Sequence, residues 1–369
     1  MNTSGASSEE RPARTELAAI SEKDIAEVAA FIGIQSGRPS ESVEAHLRWF
    51  LLENPARRAQ DPLGFGLRLR DQLVGCILCS PQVFQFNNDQ VVLMGSSSFY
   101  VDNLHRGQGG RIFLQYCRLG KQWPLFGTSA NAEAAALWKA AGATSIPGSN
   151  VELFGVLRWP PVIEEFAHRR KPNRLLSRLA GSSVSNLAHL IPPLKLKIKI
   201  KIDGIASDTL RPLTSAEQVN DLSLPASPGK LTAMRDLPYI RWRYFSGRDA
   251  TAAVFAFRSY ERDREILVTV NQRTRGYRGQ IKSLNVLDVY PAVSPDDWMR
   301  IVGALVNRHG KTIDSIVLRS QDPERQKIFC ARGFRRRIFD APTGWFLDKT
   351  KLLPTHDWYP VPADCDALI

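Results

Sequence analysis

The chain has no long apolar run. In its 369 residues, no uninterrupted hydrophobic stretch reaches the ~18–20 residues that a membrane-spanning helix needs. Residues 1–15 also have no apolar core of the kind a secretory signal contains, so we expect a disordered polar lead-in and a cytoplasmic protein. The composition is otherwise that of a globular chain, with 43% hydrophobic and 23% charged residues. Together with the length, it predicts two or three domains.

Cysteine is scarce, with five residues in the chain. Cys76 and Cys79 have the spacing C-x-x-C, but they lie within a strand-like run. No second cysteine pair or nearby histidine completes a zinc site, and a redox motif usually opens a helix. We therefore expect buried structural thiols and no metal site.

Acidic residues are missing from one segment. Between Phe166 and Ile202 the sequence has nine Lys and Arg and no Asp or Glu, whereas the net charge of the whole chain is +12. An amphipathic helical pattern there is followed by an alternating run, Leu194–Ile202. One interpretation is a connector docked between domains, with an edge strand protected by lysines. The other is a peripheral contact of 166–202 with an anionic membrane at its inner face. Nucleic acid is less favoured, because no RNA- or DNA-reading motif accompanies the charge.

A glycine-rich turn between a strand and a helix is the strongest motif. Ser98–Val101 has the composition of a strand, and Arg106–Gly110 leads into a run with apolar residues on one helical face. Such a turn leaves backbone N–H groups unpaired at the positive end of the helix, where they can hold a phosphate or pyrophosphate. Glycine also serves in tight turns without any ligand, and this is the alternative.

A second helix follows, begun by the capping residue Asn131 and ended by Gly142. With these features the chain resembles the GNAT superfamily of acyl-CoA N-acyltransferases. The turn matches that family's pyrophosphate loop, Arg/Gln-x-x-Gly-x-Gly/Ala, until Arg111 occupies the last small position. The second helix matches the pattern Asn-x-x-Ala-x-x-Leu-Tyr-x-x-x-Gly-Phe, except that Trp138 replaces the tyrosine and Ala143 the phenylalanine.

The second half of the chain repeats landmarks of the first. Leu213 follows Ile20 by 193 residues, Ile240 follows Leu47 by the same number, and residue 333 follows residue 142 by 191. This period is too long for a solenoid and indicates a duplicated domain. We therefore expect an α+β protein with two GNAT-like domains, each a mixed, mainly antiparallel twisted sheet flanked by helices. The expected segments are a lead-in at 1–15, a first domain at 16–160, a basic connector at 161–204, a degenerate second domain at 205–350 and a tail at 351–369.

The two copies differ at the loop. Asp288–Pro295 stands where the first copy has its glycines, and it contains two prolines and no glycine. Proline removes backbone donors and conformational freedom from the place where a phosphate would bind. We expect the second copy to have lost coenzyme A binding, and Val151–Leu157 to be the last strand of the first domain.

The resemblance implies transfer of an acyl group from acetyl-CoA or another acyl-CoA to an amine of a small molecule, or of a sugar or lipid intermediate, without a metal. In that chemistry strand N–H groups polarise the thioester carbonyl, and the loop fixes the pyrophosphate. The residues that the resemblance implies in coenzyme binding are Phe99, Tyr100, Val101, Arg106, Gly107, Gln108, Gly109, Gly110, Arg111, Asn131 and Trp138.

The catalytic groups are harder to assign. Family members often use a tyrosine as general acid at the place of Trp138, whose indole cannot do this. The candidates near the loop are Asp102 as a base, His105 as a proton shuttle and Tyr100 as a hydrogen-bond donor. The alternatives are a turn-forming Asp and an exposed loop histidine. The missing tyrosine, with Arg111 crowding the loop, also leaves open an acyl-CoA-binding protein without turnover, or a scaffold.

Overall fold

The computed structural model describes residues 15–87, 89–170, 210–220, 222, 229–246, 251–259, 264–277, 279–291, 293–319, 322–350 and 353, without the side chains of 166–170 and 220. The predicted lead-in, most of the basic connector and the tail therefore lie outside the described residues. No helix in the described part is long and apolar enough to cross a bilayer.

The first half alternates helices with strands. Its helices are α1 Ile25–Ser36, α2 Ser40–Leu47, α3 Gly109–Arg118, α4 Ala132–Ala140 and α5 Trp159–Arg170. Its strands are β1 Thr15–Ala19, β2 Gly64–Leu69, β3 Gln72–Phe86, β4 Asp89–Val101, β5 Leu125–Gly127, β6 Thr144–Ser145 and β7 Val151–Val156. A π-helical turn, Arg48–Leu52, extends α2.

The second half follows a similar order. Its helices are α6 Ala216–Asn220, α7 Leu237–Tyr244, α8 Pro295–His309 and α9 Pro323–Ala331. Its strands are β8 Leu210–Leu213, β9 Thr232–Ala233, β10 Ala252–Arg258, β11 Glu265–Arg275, β12 Ile281–Tyr290, β13 Ser315–Arg319, β14 Arg335–Ile338 and β15 Trp345–Leu347.

Local signals explain where several helices begin and end. Ser21 and Asp24 form a capping box before α1, and Gly37, with φ of 69°, ends that helix in the left-handed conformation. Asn131 caps α4 by accepting a hydrogen bond from the Ala134 N–H. Ser294 caps α8 in the same way. Each cap satisfies a backbone donor that the helix itself leaves unpaired.

The strands form two mixed sheets with the same internal order. The first runs β1-β2-β3-β4-β5-β15-β6, and the second runs β8-β10-β11-β12-β13-β7-β14. The two orders match strand by strand. The matching pairs are β1 with β8, β2 with β10, β3 with β11, β4 with β12, β5 with β13, β15 with β7 and β6 with β14. Strand β9 adds to the first sheet by pairing with β3.

The last strand of each half lies in the other half's sheet. β7 pairs with β13 and β14, so the expectation that Val151–Leu157 closes the first sheet is wrong. In exchange, β15 pairs with β5 and β6. Both strands are short and buried, and both are apolar except for Glu152 of β7. Their sequence pattern does not indicate which sheet takes them. The limits 16–160 and 205–350 stay a prediction, but each segment gives one strand to its neighbour.

A symmetric aromatic contact joins the halves. Trp49 Nε1 donates to the Trp242 carbonyl at 3.1 Å, and Trp242 Nε1 donates to the Trp49 carbonyl at 3.0 Å. The two rings are stacked with centroids 5.0 Å apart. These residues are 193 positions apart, which is the offset found between Leu47 and Ile240. The contact therefore joins two positions that the predicted repeat places in correspondence.

Candidate functional site

A cavity of about 1020 Å³ lies where β4 and β5 diverge. The two strands pair in parallel only at Met94–Leu125 and Gly95–Phe126. Beyond that point, residues 96–101 of β4 line one side of the cavity and residues 127–131 after β5 line the other. Helices α1 and α2 contribute further lining residues, among them Ile32, Val43, His46 and Leu47. From Ser96 onward, the edge of β4 that faced β5 has no strand beside it among the described residues.

We call the place where β4 and β5 diverge the fork. A buried tyrosine joins the two strands where the fork begins. Tyr116 on α3 donates its hydroxyl to the Met94 carbonyl at 2.7 Å and lies 3.3 Å from the Phe126 carbonyl. It therefore joins β4 to β5 at their last paired residues. Burial raises the pKa of this phenol well above its usual value, so it stays a neutral donor.

Strand β4 carries an extra residue beside the cavity. Cys76 pairs with Tyr100 and Leu78 with Ser97, so one residue of β3 faces two of β4. Ser98 at this bulge has φ of 47°, an uncommon value for a residue other than glycine. A bulge leaves one residue out of the ladder and turns its groups in a new direction. Ser98 and Phe99 are therefore the residues left out of the ladder with β3. They directly precede Tyr100 and Val101, which the resemblance implies in coenzyme binding.

The glycine loop forms the mouth of the cavity. Residues Asn103–Gln108 make a 3-10 turn that leads directly into α3. A Cβ built on Gly107 or Gly110 meets no atom within 4 Å, and neither residue has positive φ. Neither local crowding nor backbone strain therefore requires glycine at these two positions. Glycine at these positions leaves the backbone open to close approach by another molecule.

The charge at the mouth is positive. Arg38 and Arg106 line the cavity and are exposed. Within the described ranges neither has a carboxylate partner. Glu133 is the one carboxylate of the described lining, and Asn131 Nδ2 donates to it at 2.8 Å. Two arginines beside a helix N-terminus favour an anionic group.

Most of the residues implied in coenzyme binding lie together. The cavity is lined by Phe99, Tyr100, Val101, Arg106, Gly107, Gly109, Gly110, Asn131 and Trp138. Gln108 and Arg111 do not line it. Arg111 Nη1 donates to Thr15 Oγ1 at 2.7 Å and to Gln108 Oε1 at 2.8 Å. Arg111 thus lies outside the lining while it contacts the loop residue Gln108, and its part in coenzyme binding and its crowding of the loop stay predictions.

Two of the catalytic candidates lie outside the lining. Asp102 accepts a hydrogen bond from the Leu104 N–H at 2.9 Å and caps the 3-10 turn. This is the turn-forming role that the sequence offered as the alternative to a catalytic base. His105 does not line the cavity either, whereas Tyr100 does. Sequence reasoning missed His46, the imidazole that lines the cavity from α2. Its ring stacks on Phe50 with centroids 5.8 Å apart, and the run HLRWF resembles an ordinary helix core.

Trp138 forms part of the cavity wall. It is 2% exposed, and its ring makes edge contacts with Phe113 and Tyr116. A Cβ on Gly127 would come within 2.9 Å of this ring, so glycine is needed there for the indole to pack against β5. The side chain therefore has a packing role at the position where the family often places tyrosine.

The expectation that Cys76 and Cys79 are buried thiols is confirmed. Cys76 and Cys79 are free and buried, and burial raises the pKa of Cys76 to about 12 and that of Cys79 further. Burial also raises the pKa of Cys117 to about 11. Nowhere among the described residues do three His, Cys, Asp or Glu side chains gather as a metal ion requires.

The second sheet has a corresponding fork. Strands β12 and β13 pair in parallel from Ser283–Ser315 to Asn285–Val317. Ala134 lines the cavity at the first fork. The sequence offset of 191 residues places Arg325 at the corresponding position of the second half. This side chain is 8% exposed, its guanidinium lies 5.3 Å from the Trp298 ring, and it donates to the Val293 carbonyl at 3.3 Å. It lies beside the segment that replaces the glycine loop.

No protein-family model matches the chain, and no curated protein matches its sequence. Solved structures do match. A probable N-acyltransferase of Enterococcus faecalis V583 is 10% identical, covers 90% of this chain and 72% of its own, and gives a TM-score of 0.55. A GCN5-related N-acetyltransferase of Anabaena variabilis gives 12% identity, the same coverages and a TM-score of 0.53. An N-myristoyltransferase of Saccharomyces cerevisiae with bound myristoyl-CoA gives 10% identity over 92% of this chain and 81% of its own, with a TM-score of 0.51.

At these identities the likeness concerns the fold. The chain has the fold of GCN5-related N-acetyltransferases, built from two mixed sheets flanked by helices. The fold expected from the sequence is confirmed.

Proposed function

We propose that the chain is an acyl-CoA-dependent N-acyltransferase, with acetyl-CoA as the simplest donor and an amine of a small molecule, or of a sugar or lipid intermediate, as the acceptor. The observation that carries the proposal is the fork between β4 and β5. Past Gly95 no described strand pairs with the side of β4 that faced β5, and β4 leads to a glycine turn at a helix N-terminus. The fold supports the same class of reaction.

The lining fits an extended donor with a diphosphate at one end. The N–H groups at the start of α3 and the open space over Gly107 and Gly110 can take the pyrophosphate. Arg38 and Arg106 add positive charge there. The pantetheine arm carries two amides. Residues 96–101 of β4 line the cavity with no described strand on their β5 side, so an extended ligand can lie along them as an added strand would.

When bound, acyl-CoA supplies a thioester whose carbonyl carbon is attacked by the amine. The new bond joins nitrogen to that carbon, and the carbon–sulfur bond breaks. The chain must hold the carbonyl oxygen, take a proton from the amine and return one to the sulfur. The bulge at Ser98–Phe99 gives β4 a backbone group outside the ladder, suited to the carbonyl oxygen.

For the proton taken from the amine we assign His46, because histidine is the side chain that titrates nearest neutrality and this one lines the cavity. The hydroxyls of Tyr100 and Ser129 line the same cavity and are the candidates that return a proton to the sulfur. Asp102 is assigned to capping and His105 to the loop surface.

The second half is proposed to be a degenerate copy that supports the first. The equal strand orders and the reciprocal Trp49–Trp242 hydrogen bonds support a duplication. Arg325 packs against Trp298 and donates to the Val293 carbonyl in the segment that replaces the glycine loop, which supports one coenzyme site per chain.

Turnover tests this proposal. Free thiol released from acetyl-CoA is measured over a panel of amines, for wild type and for His46→Gln. General-base catalysis contributes roughly 10²–10⁴ in rate, so we expect kcat to fall by about 100-fold in the variant with little change in KM for acetyl-CoA. An unchanged kcat would remove His46 from the mechanism. Acyl-CoA binding with no thiol release on any amine would favour the binding protein without turnover, which Trp138 in place of tyrosine suggests.

A further inference from the structure

The segment from Asn103 to Ala132 has an unusual outer surface. It contains no Asp or Glu, whereas a run of this length at the chain's average acidic content, 37 in 369, would hold about three. Within it Arg106, Arg111, Arg118 and Lys121 are all exposed. The carboxylates at its two ends are engaged, since Asp102 accepts from the Leu104 N–H and Glu133 from Asn131.

The same segment exposes two large aliphatic side chains. Leu104 is 90% exposed and Leu114 is 60% exposed. In the described part of the chain only two other large hydrophobic side chains, Ile34 and Ile338, have comparable exposure. Single exposed leucines are common on protein surfaces, but these two lie in one acid-free segment among four cations.

Helical spacing places the outer residues of α3 together. Arg111, Leu114 and Arg118 are at positions i, i+3 and i+7, which share one face of a helix. The opposite face, with Ile112, Phe113 and Tyr116, is buried against the first sheet. The neighbouring strand β1 turns Thr15 toward Arg111, so the next residue, Glu16, points to the other side of the sheet.

We propose that this face, formed by Leu104, Arg111, Leu114, Arg118 and Lys121, docks on an anionic lipid bilayer. The leucines enter the headgroup region and the cations lie among acidic headgroups, the arrangement of interfacial amphipathic helices. Arg106 and Gly107 lie between Leu104 and Arg111 in the chain and line the cavity mouth. Docking therefore places the mouth at the lipid surface, where an amphiphilic substrate is concentrated. The docking face shares no residue with the basic segment 166–202. Lipid binding by this face does not require that the chain catalyse acyl transfer.

Vesicle flotation with the full-length chain tests this proposal. Wild type is compared on neutral phosphatidylcholine vesicles and on vesicles with about a third phosphatidylglycerol, with two double variants, Leu104→Ser with Leu114→Ser and Arg118→Gln with Lys121→Gln. Ile338→Ser is the matched control, because Ile338 is equally exposed but lies on β14 of the second sheet. All changed side chains are exposed, and thermal unfolding checks that each variant folds.

We expect binding to anionic vesicles only. The leucine pair should weaken it by roughly tenfold, and the cation pair by roughly thirtyfold at low salt. The Ile338 control should bind as wild type does. Wild type that fails to bind, or double variants that bind unchanged, would overturn the proposal. So would binding that is lost only when Lys195, Lys197, Lys199 and Lys201 become glutamine. Binding of soluble polyglutamate without binding of anionic vesicles would assign the face to an acidic protein instead.

Discussion

Strand β15 makes the cavity beside the glycine loop depend on a residue more than 200 positions away in the chain. Trp345 pairs with Gly127 of β5, is 6% exposed, and packs in the same core as Phe113 and Trp138. Its Nε1 donates to the Pro342 carbonyl at 3.0 Å. Trp345→Ala removes this packing, and such substitutions cost about 3–5 kcal/mol. That is a large part of the 5–15 kcal/mol that stabilises a typical domain.

Trp345→Ala should also weaken ligand binding. Gly127 and Trp138 line the cavity, and the space left behind them lets β5 and α4 shift. We expect coenzyme A affinity to fall by about tenfold, or 1.4 kcal/mol, in calorimetry at a temperature where the variant remains folded. Urea unfolding gives the stability change in parallel.

Leu153→Ala is the control for this prediction. Leu153 is 0% exposed and lies on β7, the strand that the first half gives to the second sheet. Its loss should cost about 2–5 kcal/mol of stability but leave the coenzyme affinity of the folded protein unchanged. If Leu153→Ala weakens binding as much as Trp345→Ala does, or if Trp345→Ala leaves affinity intact, the assignment of β15 to the cleft is refuted.

Two further predictions concern buried groups. Trp49→Phe and Trp242→Phe each remove one indole donor from a buried carbonyl, so each should cost about 1–3 kcal/mol in urea unfolding, and a large difference between them would contradict the symmetric contact. The thiols of Cys76, Cys79 and Cys117 should resist a thiol reagent at pH 8 until the chain unfolds, because burial raises their pKa. Since the unfolded thiols ionise near pH 9 and the folded ones do not, stability should fall as pH rises from about 9 towards 11. Labelling of any of these three thiols in the native chain at the rate of an unfolded peptide, assigned by peptide mass spectrometry, would contradict the expected protection.

The sequence predicted the elements of the fold better than their pairing. The repeat offset of 193 recurs in the contact between Trp49 and Trp242, because corresponding positions meet across the two halves. The exchange of β7 and β15 was not predictable. Local pattern shows that Val151–Val156 is a buried strand, but the choice of sheet depends on tertiary packing far along the chain.

The site was predictable where backbone chemistry dominates. The glycine turn and the strand before it could be recognised, since turn residues have a conformational reason to be where they are. Side-chain direction could not. Arg111 turns to Thr15, Asp102 turns to its own loop, and His46 turns into the cavity from a helix that resembles core. Sequence spacing gives the face of an element, and only the packed structure gives the partner across it.

Calorimetry with coenzyme A tests the central claim most directly. The account predicts one site per chain in wild type, retained in Arg325→Ala and lost in Gly110→Val. A Cβ at Gly110 meets no protein atom, so Gly110→Val should fold, and its branched side chain would occupy only the space over the loop. Ala136→Val, on the exposed side of α4 outside the cavity, should bind as wild type does. Wild type that binds no coenzyme A, or a Gly110→Val variant that binds with unchanged affinity, would contradict the account.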